Sequence, residues 1–101
     1  MRVEIREGPE FRAELIRAIE PRMRQPLDAL AMAQVYLSDL VQQLNTHGGP
    51  PSEAEIKRRK PEGWWWLYVR GIWIGFISHE RIRLLQRVRV ITLLAVETAE
   101  P

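Results

Sequence analysis

The 101-residue chain contains no cysteine, which excludes disulfides and thiolate zinc sites. That absence suits a reducing compartment, and a cytoplasmic protein is expected. No apolar run approaches the roughly 20 residues that span a bilayer. The longest candidate, Trp64 to Ile77, is cut by Arg70, Gly71 and Gly75. No apolar segment follows the charged N-terminus, so neither a leader nor a membrane partner is expected. Histidine occurs only at His47 and His79, and scattered carboxylates give no ligand spacing, so no metal and no cofactor is expected. Glycine-rich phosphate loops, Ser-His-Asp sets and paired-carboxylate patterns are missing as well. No motif names a reaction.

What remains is a foldable composition, 46% hydrophobic and 28% charged, sized for a single domain over 1–101 with one core. The formal charge of +2 is unevenly spread. Residues 1–50 carry six Arg and Lys against seven Asp and Glu, whereas residues 51–101 carry nine against six. An acidic partner is therefore expected at the second half.

Arg2-Val3-Glu4-Ile5-Arg6 alternates charged and apolar residues, as a short half-buried strand does. Gly8-Pro9 breaks it, and Phe11, Leu15 and Ile19 then recur at helical spacing until Pro21. A second helix is expected from Pro26, with Leu30, Ala33, Leu37, Leu40 and Leu44 inward and Leu27 and Val41 widening that stripe. Asn45 to Pro51 is rich in breakers, and Ser52-Glu53-Ala54-Glu55 is suited to cap one helical turn.

Three strands should follow: Trp64 to Val69, Ile72 to Ile77, and Val88 to Val96. Ser78-His79-Glu80 reads as a turn, and Arg81 to Arg87 as either a hairpin arm or a loop. The last strand is apolar on both faces late in its course, which predicts a central position. The expected fold class is α+β in the order β-α-α-β-β-β, a twisted, largely antiparallel sheet packed on one face by an N-terminal helical hairpin.

Several residues are candidates for binding. Lys57, Arg58, Arg59 and Lys60 form a basic run able to neutralise phosphates, or simply a solvated loop. Arg81, Arg83, Arg87 and Arg89 all fall at odd positions, which suggests a stripe on one strand face, or a charged defence against edge pairing. Trp64, Trp66 and Tyr68 share one face of their strand, where they form either core or a platform for stacking bases. An uncovered aromatic face would mark a protein partner or an identical subunit.

The stretch Gly63 to Phe76, with its aromatic strand, short glycine turn and second aromatic strand, resembles the RelE/ParE superfamily of type II toxins. The run Val90 to Val96 is similar to that family's last buried strand. Gly48-Gly49-Pro50-Pro51 and the basic run resemble HigB-like members. The resemblance implies an antitoxin partner and, for RelE-like members, ribosome-dependent mRNA cleavage. Such cleavage activates a ribose 2′-hydroxyl and stabilises a pentavalent phosphate. In this chain Tyr68 and Trp73 stand where the family's two strand arginines would be, and the acidic end from Glu97 lacks the family's Arg and Tyr. Nuclease activity is accordingly expected to be weak or absent; if present, it would rest on Tyr68, Arg70, His79 and Arg89. ParE-like members, which act on DNA gyrase, lack that catalytic set. A non-toxic interaction protein, which blocks a host complex through its aromatic face, is the alternative expectation.

Overall fold

The computed structural model describes residues 2–46, 55–56 and 63–99, without the side chains of Pro26, Glu55 and Ile56. It is an α+β structure with two helices against one mixed sheet. The elements are β1 (Arg2–Glu7), α1 (Phe11–Ile19), a 3-10 turn (Glu20–Arg22), α2 (Pro26–Thr46), β2 (Glu55–Ile56), β3 (Trp65–Val69), β4 (Ile72–Arg83) and β5 (Gln86–Glu97). The sheet runs β1-β5-β4-β3-β2, with β1 parallel to β5 and every other pair antiparallel. Between Pro9 and Pro26 the apolar spacing and the prolines set the helix limits, as the sequence implies.

The core forms where the helices meet one sheet face. Phe11, Leu15 and Ile19 of α1 and Ala33, Leu37, Leu40 and Leu44 of α2 pack on Leu67, Val69, Ile72, Ile74, Phe76, Ile91 and Leu93. The first turns of α2 depart from the expected stripe: Leu27 and Leu30 are exposed, and Ala29 and Tyr36 are buried instead. Tyr36 explains the rotation. Its hydroxyl donates to the Arg70 carbonyl at 3.2 Å, and the Arg22 guanidinium donates to the Arg70 and Gly71 carbonyls at 2.9 Å each. These bonds tie the helical layer to the β3–β4 turn, whose Arg70 and Gly71 both have positive φ.

Three local expectations are corrected. Glu55–Ile56 is a short strand paired with Trp65 and Trp66, not part of a helical turn. Ser78-His79-Glu80 is no turn; it lies inside β4, paired with Ile91, Val90 and Arg89, because the apolar β5 offers a continuous ladder there. The hairpin continues instead to a two-residue turn at Leu84-Leu85. The simple alternation of faces that Val88, Val90, Thr92, Leu94 and Val96 would keep in an unbroken strand also fails along β5. A bulge between Gly75 and Phe76 pairs Gly75 with Ala95 and Phe76 with Leu93, so Leu94 is extra and Val96 joins Leu93 on the helix side. β5 is central, as expected, with buried residues on both faces: Ile91 and Leu93 toward the helices, Val88 and Val90 away from them. Among the described residues, no helix is long and apolar enough to cross a membrane.

Candidate interaction surface

The sheet face turned away from the helices carries Trp64, Trp66, Tyr68 and Trp73, whereas Trp65 and Phe76 face the helices. Trp66 lies across Gly75, its partner on β4, so closely that a Cβ at Gly75 would meet the indole at 2.8 Å and Trp64 at 3.1 Å. Trp64 and Trp66 are tilted against each other with centroids 5.9 Å apart, and Tyr68 pairs with Trp73 at 5.1 Å. Trp66 is buried, and its indole N–H has no hydrogen-bond partner among the described residues. Tyr68, by contrast, is 56% exposed. The row is thus divided: Trp66 fills the concavity left by glycine, and Tyr68 presents its ring to solvent. Gly75→Ala should destabilise by about 1–3 kcal/mol, because an aromatic ring cannot yield as a flexible chain end does. A chemical denaturation midpoint within error of the parent would contradict that packing.

The arginine stripe does not exist as a single face. The Leu84-Leu85 turn pairs Arg83 with Gln86, Ile82 with Arg87 and Arg81 with Val88. Odd residues on β4 therefore oppose even residues on β5, and odd positions of the two strands point to opposite sides. Arg81 and Arg83 face away from the helices, and Arg87 and Arg89 face the helix side. What the hairpin makes is a basic collar around its outer end. Arg2, on the row of Val88 and Arg81, extends the collar onto β1.

Ion pairs divide the collar further. Arg83 is held by Glu4 at 2.6 Å, and Arg89 by Glu80 at 3.0 Å and by Ser78. Arg2, Arg81 and Arg87 have no acidic partner among the described residues. Within the collar these three are the described cations free to meet an outside anion, and Arg2 gave no sign of this in sequence, since its strand alternation explained it fully.

Tyr68, Arg70, His79 and Arg89 are not brought together. Tyr68 sits beside Trp73, six residues from His79 along β4, a separation of about 20 Å at strand rise. Arg70 is bound by Asp39 of α2 and stands over the Tyr36 ring at 6.0 Å. Arg89 points to the side opposite His79, whose row is Val90 and Glu4. Lys57, Arg58, Arg59, Lys60 and His47 lie outside the described residues.

A separate cleft of about 430 Å³ opens between α2 and β1, floored by Val3, Ile5, Leu37, Val41 and Leu93. At its mouth Arg12 donates twice to Glu7, at 2.7 and 2.9 Å. That hydrogen bond, with the attraction of the guanidinium, holds the Glu7 carboxyl below its ordinary range and raises Arg12. Because the carboxyl is lowered in the folded state, its contribution is present above its unfolded value and fades as pH falls through the lowered one. Glu7 is over a third exposed, so screening keeps the effect small. Thermal melts taken from neutral pH to about pH 3 should show a slightly shallower acid loss in Glu7→Gln. An identical profile would mean that the pair contributes nothing.

Compared with protein-family models, curated proteins and solved structures, the chain has no match.

Proposed function

We propose that the chain is a RelE/ParE-like toxin of a type II toxin–antitoxin or mobile-element system, acting by binding rather than by cutting RNA. The structure adds the short β2 to the expected order, giving β-α-α-β-β-β-β, and its coarse α+β arrangement, with helices on one sheet face, supports that reading. The observation that carries the reading is the basic collar of the β4–β5 hairpin, where Arg2, Arg81 and Arg87 have no acidic partner among the described residues. Phosphates of RNA or the ribosome, a DNA-associated enzyme, or an acidic antitoxin would satisfy them. The separation of Tyr68 from His79 and the opposite orientation of Arg89 favour binding over general acid–base catalysis, which needs its groups within hydrogen-bond reach of one substrate.

Induced expression should slow growth and translation, and a co-expressed antitoxin gene should relieve it. Purified protein incubated with ribosomes and mRNA should leave the message intact. Unaffected growth and translation would remove the toxin reading; cleavage lost in Arg70→Ala and Tyr68→Phe would replace binding with catalysis.

The exposed Tyr68 ring against Trp73 favours a second reading, a non-toxic phage or mobile-element protein that occupies a host complex through its aromatic face. Association that hardly responds to salt, and is lost in Tyr68→Ala, would select it over the first.

A further inference from the structure

The outer end of the β4–β5 hairpin combines two unfavourable features. Leu84 and Leu85 form its turn with φ of 48° and 66°, a left-handed conformation that L-residues with a Cβ resist. Turns of this kind are usually built from Asn-Gly. Both leucines are also almost fully exposed, at 97% and 99%, and Ile82 beside them is 76% exposed. Three aliphatic side chains are thus held in water at a strained turn, whereas the other described strand aliphatics are buried or half-buried. Strain and apolar exposure at one spot point to an occupant.

The surroundings specify its chemistry. Among the described residues, β1 meets β5 no further out than the Arg2–Val88 pair, and β3 leaves β4 at the Trp65–Phe76 pair. Beyond the Arg81–Val88 rung the two strands pair only with each other. The end is a projecting knob, not a groove. Arg83, Arg87 and Arg81 follow one, two and three steps behind the turn, within about 10 Å of it at strand rise. An apolar point backed by cations at that depth matches a leaflet with acyl chains below and phosphates above, where amphipathic elements settle about 5–10 Å deep. Arginine stems extend along apolar matter while their guanidinium groups reach the phosphates.

We infer that the Leu84-Leu85 hairpin tip is a peripheral docking element for an anionic phospholipid surface, with Ile82, Leu84 and Leu85 entering the leaflet and Arg81 and Arg87 engaging headgroup phosphates. This differs from helical spanning: among the described residues no helix is long and apolar enough to cross a membrane. It does not depend on the toxin reading. Bases are a poorer occupant, because aliphatic side chains neither stack nor pair with them. A second copy is poorer too, since the apolar cleft beside β1 offers the arginines only Glu7, already held by Arg12.

The test is flotation of the purified chain with vesicles of phosphatidylcholine alone, or with about a third phosphatidylglycerol. Binding to the anionic vesicles alone is expected. The double variant Leu84→Asn, Leu85→Gly installs the preferred turn sequence, so it keeps the hairpin while deleting the apolar point. It should lose vesicle affinity at least about tenfold and melt no lower than the parent. Arg81→Gln with Arg87→Gln should lose about twentyfold. The inference is overturned by absence of binding to anionic vesicles, or by binding that the leucine variant leaves intact. It is equally overturned if light scattering shows an oligomer of the parent that the leucine variant dissolves, because the occupant would then be a second copy.

Discussion

Phe76→Ala is expected to destabilise the protein by about 3–5 kcal/mol, the usual loss when a buried phenylalanine is truncated. Phe76 is fully buried, stands at the bulge beside Gly75, and pairs with Leu93 on the helix-facing side. There it belongs to the same cluster as Phe11 and Leu15 of α1 and Leu40 of α2. Truncation would open a cavity that a sheet fixed by ladder bonds on both sides of β4 cannot collapse to fill. A domain of this size holds about 5–15 kcal/mol in all, so the variant should be marginal. Urea titration of parent and variant gives the difference directly. A loss under about 1 kcal/mol would mean that the helices do not pack on this face as described. Phe76→Leu, which retains most of the volume, should lose clearly less.

The second large effect concerns binding. Replacing Arg2, Arg81 and Arg87 together by glutamine should reduce the salt dependence of RNA association by about three in logarithmic slope, roughly one for each phosphate contact removed. At low salt the affinity should fall by about a hundredfold or more. These side chains are exposed and have no acidic partner among the described residues, so stability should shift by only about 0.5 kcal/mol in either direction. Replacing Arg83 and Arg89 instead breaks their pairs with Glu4 and Glu80, and should affect RNA less because those guanidinium groups are already engaged. Filter binding across a salt series distinguishes the two sets. Equal loss from both would show that the hairpin attracts RNA by total charge, without regard to pairing.

Much of the architecture was legible in residue order. The four-residue spacing of Phe11, Leu15 and Ile19 and the prolines around them specified α1, and all three side chains are buried. The aromatic and β-branched runs gave β3, the first half of β4 and most of β5, and the two-sided apolar character of β5 gave its central place. The candidate surface was less legible. His79 lies in a polar triplet that resembles a turn, yet a long apolar partner strand carries it through as ladder. The odd-numbered arginines looked like one stripe, but the length of a turn decides whether parity is kept or inverted across a hairpin. Tyr36 was overlooked because its burial depends on the Arg70 carbonyl, 34 residues away.

Residue order by itself determined α1, the later turns of α2, β1 and the apolar stretches of β3 to β5, together with their apolar sides, since those periods are local properties of the chain. Only the tertiary structure decided register: the bulge at Gly75, the Leu84-Leu85 turn that sends the arginines to both sides, and the parallel pairing that sets Arg2 on the row of Val88 and Arg81. Register depends on contacts between residues far apart in the chain, and a shift of one residue exchanges the two faces of a strand without altering its pattern.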